Sequence, residues 1–412
     1  MKLHKIIQTF DETCISNIKL TVQQEMLNTK IQFPKGARIA VTVGSRGISN
    51  IAEIIKAVCS TVKEMDGNPF IVPAMGSHGG ATAEGQQEIV ESYGITEDYV
   101  GAPILSSMEV VELESEGLCH KLYMDKYAHN AHGVIAINRV KVHTDFHGEI
   151  ESGVMKMCVI GLGKHAQALE IHNYGANGLR DLTPPAARKI IESGKILMGI
   201  GILENAHDKV VEIKAVQPNE IELMERNMLD KCRKLMPSLP SENIDVLIVD
   251  RIGKNISGVG MDTNIIGRMR IVGEPEPKTP SIKIIIANDL TEESHGNALG
   301  MGLSDIITEK LRNKIDFNAT YENVLTSTFI QRGFMPIVVK NIAEGLKHGL
   351  RCSGCNVTNS KPRVMRIRDT LHMGEIYVSK AILEEISKQP NIKITNETID
   401  VYDGNGDLLP WK

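Results

Sequence analysis

Short apolar runs alternate with segments of helical periodicity along the first half of the chain. Residues 37–43 (ARIAVTV) form a β-branched run that predicts a strand, and residues 51–65 (IAEIIKAVCSTVKEM) have apolar positions at helical spacing. The same order returns at residues 69–74 (PFIVPA), which predict a second strand, and at residues 84–91, which predict the start of a second helix. Two consecutive strand–loop–helix units are therefore expected.

Further apolar runs continue this alternation into the second half. They are residues 133–138 (GVIAIN), 196–202 (ILMGIGI), 244–250 (IDVLIVD) and 282–287 (IKIIIA). Strands that alternate with helices are typical of α/β proteins with mostly parallel sheets. Ligands of such sheets bind at loops that follow the carboxyl ends of strands. The loops GSRG (44–47) and MGSHGG (75–80) are therefore the first places to look for chemistry.

The length of the chain predicts two domains, because 412 residues exceed the span of one hydrophobic core. A charged helix-like stretch at residues 219–234 is followed by MPSLPSEN, in which two prolines interrupt regular structure. We place the boundary there, with one α/β domain at residues 1–240 and a second at 241–412. The active site is expected in the cleft between them, with cofactor-binding residues in the first domain and part of the substrate site in the second.

Composition and charge favour a small-molecule partner. The formal net charge of -5 is small for this length and the two signs are interspersed, so neither nucleic acid nor an anionic membrane is expected as a partner. No apolar stretch approaches the roughly 20 residues of a membrane span, and the N-terminal segment lacks a signal-peptide core. The seven cysteines are an odd number without a disulfide framework, so reduced thiols and a cytoplasmic location are expected.

Two of the loops carry a single charged or titratable side chain. Arg46 in GSRG could pair with a carboxylate in bidentate fashion beside a helix start, or it could be a solvated arginine in a plain turn. His78 in MGSHGG could exchange protons near neutral pH, or it could hydrogen-bond its own loop. Local sequence leaves both pairs of alternatives open.

The segment NRVKVHTDFHGEIESGVMKMCVIGLGKHAQALEIHNYG (138–175) is the densest in titratable groups. Four of the thirteen histidines lie in it, together with three lysines: His143, His147, His165, His172, Lys141, Lys156 and Lys164. Solubility alone does not require such clustering, whereas sites that handle protons or metals do favour histidine. The alternative is a set of structural histidines that happen to be close in sequence.

The chain resembles the nickel-dependent lactate racemase family over most of its length. The resemblance rests, in chain order, on the GSRG loop, the GSHGG loop, the segment HTDFHGEIESGVMKM and His172. Members of that family carry a nickel-pincer nucleotide, a pyridinium ring with two thio groups that bind nickel. The nucleotide is made by separate biosynthetic enzymes and is linked covalently to a lysine. The resemblance implies a racemase or epimerase of a small 2-hydroxy acid.

The resemblance also implies roles for individual residues. Lys156 in SGVMKM resembles the lysine that forms the thioamide link, and His172 resembles the nickel ligand. His78 and His143 resemble the two acid/base histidines, and Arg46 resembles the arginine that binds the substrate carboxylate. This set predicts a cofactor covalently linked to Lys156.

Two positions have competing candidates. His143 precedes Lys156 by more residues than in well-known members, and ESGVMK replaces a glycine pair, so His147 competes for the acid/base role. Lys164 in GLGK is the alternative for the cofactor lysine. Both alternatives stay open at the level of sequence.

The implied chemistry explains the residue types. The α-hydrogen of a 2-hydroxy acid is weakly acidic, so removing hydride to an electron-poor cofactor while a base takes the hydroxyl proton is the easier route. A planar 2-keto acid results, and return of hydride to its other face inverts the centre. Two histidines would serve the two substrate orientations, and sulfur and carbon donors with one imidazole suit square-planar nickel.

In the second half, LTSTFIQRGFMP (325–336) combines hydroxyl and guanidinium groups with glycine beside apolar residues. We expect Thr326, Ser327 and Arg332 to contribute to substrate binding. The sequence does not distinguish a short aliphatic acid, a dicarboxylate or a sugar acid, and the oligomeric state stays open.

Other functions are weighed against this one. A nicotinamide-dependent enzyme would need a G-x-G-x-x-G turn between the first strand and its helix, and a zinc hydrolase of the common type would need HExxH; the sequence has neither. The remaining alternative is a non-catalytic protein of the same fold that binds a hydroxy acid. Retention of the lysine and the three histidines argues for catalysis.

Overall fold

The computed structural model describes residues 1–45, 47–355 and 361–411. In these ranges the strands are β1 Lys2–Gln8, β2 Arg38–Val43, β3 Asn68–Pro73, β4 Val110–Leu113, β5 Leu122–Asp125, β6 Gly133–Arg139, β7 Ile196–Glu204, β8 Val210–Val216, β9 Asn243–Val249, β10 Ser281–Ala287, β11 Ile306–Thr308, β12 Ile337–Val339, β13 Val364–Ile367, β14 Glu375–Val378 and β15 Ile392–Asp400. The α-helices are α1 Ile18–Asn28, α2 Ile51–Glu64, α3 Ala83–Ser92, α4 Glu97–Val100, α5 Lys126–His129, α6 Val154–Lys156, α7 Lys164–His172, α8 Gly175–Asn177, α9 Thr183–Glu192, α10 Ile221–Leu235, α11 Thr263–Ile266, α12 Glu309–Arg312, α13 Phe317–Ser327, α14 Ile342–Cys352 and α15 Lys380–Ile386.

The chain divides into two compact units, and the division differs from the predicted one at the N-terminus. One unit is Asp11–Met236, and the other combines Met1–Phe10 with Pro237–Lys412. The first ten residues belong with the C-terminal half because β1 pairs antiparallel with both β14 and β15. Strand pairing satisfies the backbone groups of β1, and nothing in its short sequence indicates a partner so far along the chain.

The unit Asp11–Met236 is built on a five-stranded sheet in the order β3-β2-β6-β7-β8. Its first three pairings are parallel and the pairing of β7 with β8 is antiparallel. Alternate residues of β2 enter different apolar clusters, Ala40 in one and Ile39 with Val41 in the other. Both faces of the sheet are therefore covered, as expected for a parallel sheet flanked by helices. The four strands predicted in this half are confirmed.

The second unit contains an eight-stranded sheet in the order β12-β11-β10-β9-β13-β14-β1-β15. The strands from β12 to β13 are parallel, and the pairings that involve β14, β1 and β15 are antiparallel. Leu247 and Val249 of β9 enter one apolar cluster, while Val246 and Ile248 enter another. The strands predicted at 244–250 and 282–287 are confirmed, as is the α/β class with two units and mostly parallel sheets.

Within the described ranges, no helix combines the length and the hydropathy that a membrane crossing requires.

Candidate active site

His78 lies in a loop that leaves the carboxyl end of β3. Gly76 and Gly79 have φ values of +62° and +66°, a left-handed conformation that glycine adopts at little cost and that turns the loop sharply. The backbone N–H of His78 donates to the carbonyl of Met75 at 3.1 Å, and its own carbonyl accepts from Gln86 Nε2 at 3.2 Å. Both backbone polar groups of His78 are thus hydrogen-bonded, while its imidazole is exposed.

A buried ion pair fixes the base of this loop. Lys164 is fully buried, and its Nζ lies 3.3 Å from Oδ2 of the equally buried Asp125. The same ammonium donates to the carbonyl of Pro73, the last residue of β3, and to Gln86 Oε1 at 3.2 Å. Burial lowers the pKa of Lys164 and raises that of Asp125, and the attraction between the two opposes each shift. Since Lys164 is held inside the unit, this arrangement disfavours it as the cofactor lysine.

His143 and Lys156 are in direct contact. Lys156 Nζ lies 2.8 Å from His143 Nε2. The imidazole stacks on Phe146 with ring centroids 4.5 Å apart, and its Nδ1 accepts from the backbone N–H of Asp145 at 3.1 Å. Nε2 is the ring nitrogen that faces Lys156, and whether it donates or accepts depends on the tautomer of the ring.

Glu151 anchors the loop that carries His143. Its carboxylate is fully buried, and Oε2 accepts from the backbone N–H of His143 at 2.6 Å. Oε1 accepts from the N–H of Gly148 at 3.2 Å and from Arg233 Nη2 at 2.9 Å. Charged hydrogen bonds of this kind are among the stronger ones in proteins. They fix the loop backbone on which the orientation of His143 depends.

His147 has a different environment. Its side chain is about half exposed, and Nδ1 lies 3.5 Å from Oε1 of Glu151. The structure therefore brings His143, rather than His147, to Lys156. His165 is exposed.

His172, the last residue of α7, is electrostatically coupled to the same lysine. His172 is exposed at the surface, but protein atoms surround part of its ring, and this partial desolvation lowers the pKa of the imidazole. The positive charge of Lys156 lowers the pKa further, and the carboxylate of Asp145 acts in the opposite direction. A neutral imidazole is the form that can bind a metal ion.

The helical segment that carries Lys156 is irregular. Lys156 ends the single turn α6 and is followed at once by a π-helical turn, Met157–Gly161, before α7 begins. A second π-helical turn, Gly178–Leu182, lies beyond His172. Such turns are uncommon in proteins and occur frequently at functional sites.

The remaining substrate-binding candidates belong to the second unit or lie outside the described residues. Arg46 lies outside the described residues. Thr326 and Ser327 belong to the second unit, where their hydroxyls donate to carbonyls of their own helix, at 2.8 Å and 3.0 Å. Arg332 is fully buried in the same unit, and its Nε donates to the carbonyl of Met269 at 2.9 Å. A substrate-binding role for these residues stays a prediction.

No metal site made only of side chains is evident in the part of the chain that the structure describes, where no group of three or more His, Cys, Asp or Glu residues is arranged to hold an ion.

Sequence reasoning missed the carboxylates that support the site. Glu225 lies on the buried face of α10 among Ile221, Met224, Met228 and Leu229. An acidic residue at an apolar position of an amphipathic helix is the signal that would have found it, because a buried carboxylate needs a specific partner. Glu151 carries no comparable signal, since its surroundings in sequence are polar.

Comparisons with known proteins show the fold. No family model matches the sequence, and no curated protein matches it. Among solved structures, the chain is similar to the lactate racemase apoprotein from Thermoanaerobacterium thermosaccharolyticum, with a TM-score of 0.52 and 11% sequence identity. The match covers 90% of this chain and 98% of that chain. The two proteins therefore share a fold over nearly their whole length, although few residues are the same.

Proposed function

We propose that this protein is a racemase or epimerase of a small 2-hydroxy acid that uses a covalently bound nickel-pincer nucleotide. The observation that carries the proposal is the 2.8 Å contact between Lys156 Nζ and His143 Nε2, beside a histidine, His172, whose pKa responds to the same lysine. The sequence resemblance gives these three residues the roles of cofactor lysine, acid/base and nickel ligand. The fold shared with a lactate racemase apoprotein supports the same class.

The residues present fit such a cofactor. Lys156 is half-buried and holds its amine beside His143, and His172 presents at the surface of the unit an imidazole whose pKa is lowered by desolvation and by Lys156. His172 would supply the protein ligand to the nickel of such a group, and Lys156 would carry its covalent link. When bound, the group would supply the hydride acceptor for the α-hydrogen of the substrate.

The protein's own task is then to handle the hydroxyl proton. Nε2 of His143 is the atom that would exchange it, because Nε2 is the ring nitrogen that faces Lys156. In the tautomer that carries its proton on Nδ1, a proton gained at Nε2 would create an imidazolium ion, and the Asp145 carboxylate, whose Oδ2 lies 3.7 Å from Nδ1, would stabilise that charge. His78, on a loop held by Gln86, would serve the opposite substrate orientation.

The test is to produce the chain together with the enzymes that make the pincer nucleotide, and to measure its intact mass and nickel content. We expect a mass increase that maps to Lys156 and about one nickel per chain. Lys156→Arg should abolish the mass increase. His172→Ala should keep the increase and lose the nickel, whereas Lys121→Arg, at an exposed lysine outside the cluster, should change neither.

Loaded protein is then incubated with single enantiomers of short, dicarboxylic and sugar-derived 2-hydroxy acids, and both enantiomers are quantified by chiral chromatography. Appearance of the opposite isomer of one acid is the expected result. An unmodified, nickel-free chain, under conditions that load a known lactate racemase, would contradict the proposal.

A further inference from the structure

Glu225 makes contact with the segment that carries Lys156. This carboxylate lies on α10 and is fully buried. Its Oε2 accepts from the backbone N–H of Met155 at 2.8 Å, and the N–H of Val154 also stabilises its charged form. These two amides begin the helical turn that ends at Lys156, and the first amides of a helix have no partner within the helix itself. Glu225 therefore supplies an acceptor that the turn needs.

The fit between the two segments is tight. A Cβ at Gly153 would clash with all the atoms of the Glu225 carboxylate, so glycine is required for α10 to approach this closely. Asn138 Nδ2 donates to the carbonyl of Gly153 at 2.9 Å and holds the turn from the side of β6. The other carboxylate oxygen, Oε1, is buried and has no hydrogen-bond partner among the described residues. This geometry suits a side chain that sets the position of the turn.

We propose that Glu225 is a positioning residue, whose carboxyl group holds the turn from which Lys156 reaches His143 and whose protonation controls how firmly that turn is held. The proposal rests on the proposed function only in taking Lys156 as the side chain that bears the cofactor.

The charge of Glu225 is expected to change near neutral pH. Burial raises its pKa to about 7, the amides of Met155 and Val154 act in the opposite direction, and Glu222 and Lys156 exert smaller effects of opposite sign. From the facing turn, the buried thiol of Cys158 is the other titratable neighbour.

The strands against which α10 packs do not contribute a counter-ion to Glu225. In β7, Glu204 pairs with Arg139. In β8, Lys214 pairs with Glu25, and Glu212 pairs with Lys231. On α10 itself, Glu222 is bound by Arg188 and by Arg226. Glu225 is therefore left with the two amides and with Lys156 as the groups that favour its charge.

The direction of the effect follows from linkage. The closed turn holds a proton on Glu225 with a pKa of about 7, whereas a hydrated carboxyl has a value of 4.5. Opening the turn hydrates the carboxyl, so opening becomes easier as the pH rises through this interval and Glu225 ionises. Between pH 6 and pH 8 the two pKa values imply a change of about tenfold in the opening equilibrium.

The experiment is hydrogen exchange, followed by mass spectrometry, of the unmodified full-length chain at pH 6 and pH 8. Rates are corrected for the intrinsic pH dependence of amide exchange. We expect the protection of peptides that cover residues 154–157 to fall about tenfold between the two pH values. Glu225→Gln keeps an acceptor oxygen and cannot ionise, so its protection should stay high at both pH values. Glu225→Ala leaves the amides without an acceptor and should lower protection at both.

Asp230→Asn is the matched control, because Asp230 is an exposed acid on the same helix, and it should keep the wild-type pH dependence. Protection that is independent of pH in the wild type, or unchanged pH dependence in Glu225→Gln, would overturn the proposal. The wild-type series decides the matter even if a variant does not fold. Hydrogen exchange needs neither cofactor nor substrate. The Glu225 proposal can therefore be contradicted while the racemase proposal stands, and the racemase proposal can be contradicted while the Glu225 proposal stands.

Discussion

At the scale of the residue, the site depends on a contact between two side chains that are thirteen positions apart, His143 and Lys156. Glu151 accepts from the backbone N–H of His143, and Glu225 accepts from the N–H of Met155 in the turn that ends at Lys156. Both carboxylates are fully buried, and both are connected to α10. Glu225 lies on this helix, and Glu151 accepts a hydrogen bond from its Arg233. The backbone on either side of this contact is thus held by two buried carboxylates.

Replacing His143 tests its role directly. His143→Ala in the cofactor-loaded enzyme should lower kcat by about 10²- to 10⁴-fold, the usual effect of removing a general acid/base, while the thermal midpoint changes little. His147→Ala is the matched control, since its ring is exposed and should not be needed. Turnover is measured by chiral chromatography. Loss of activity in the His147 variant with retention in the His143 variant would reverse the assignment.

Glu225 also has a consequence for stability. The pKa of Glu225 is 4.5 in the unfolded chain and about 7 in the folded protein, and this difference corresponds to about 3 kcal/mol. Because the folded state holds the proton more tightly, ionisation of Glu225 lowers the free energy of unfolding as the pH rises from 4.5 to about 7. The difference between Glu225→Gln and wild type should therefore grow in favour of the variant over that interval. Urea unfolding at a series of pH values measures it, and a constant difference would contradict the pKa assignment.

At the scale of the element, the loops of the candidate site follow parallel strands and are tied to helices by buried polar groups. Lys164 at the start of α7 bonds the end of β3, and through Gln86 of α3 it also supports the loop of His78. Three parts of the chain, β3 with α3, the end of β5 and the start of α7, therefore share one buried ammonium. The alternation of strands and helices predicted β3 and the start of α3, but not the side chains that join them to α7.

Lys164→Met tests this link. The variant leaves Asp125 as a buried carboxylate without its counter-ion and should lower the free energy of unfolding by about 3–5 kcal/mol. The double variant Lys164→Met/Asp125→Asn removes both charges and should recover part of that loss. Both are measured by urea unfolding. A single variant as stable as wild type would show that the ion pair does not stabilise the fold.

At the scale of the whole molecule, the first strand belongs to the sheet of the C-terminal half. β1 lies between β14 and β15, and it pairs antiparallel with each. A central position in a sheet means that both edges of the strand form hydrogen bonds. The N-terminal segment is therefore a structural part of the unit that follows residue 236.

Removal of residues 1–10 should uncouple β14 from β15. We expect amides of 375–378 and 392–400 to lose protection in hydrogen exchange, because both strands lose a hydrogen-bonded neighbour. Amides of β2 and β3 in the other unit should keep theirs and serve as the internal control. Equal loss of protection in both units would contradict the division proposed for the chain.

Local patterns in the sequence predicted the α/β class, the strands β2, β3, β6, β7, β9 and β10, and the segment in which His143, Lys156 and His172 lie close together in the chain. These follow from local periodicity and from motifs that are contiguous in the chain. Tertiary structure alone decided that His143 rather than His147 meets Lys156, that Lys164 is buried in an ion pair, and that Glu225 supports the site. It also decided the partners of β1. The physical reason is that pairing of strands and burial of a charge depend on residues far apart in sequence, and a local pattern carries no information about them.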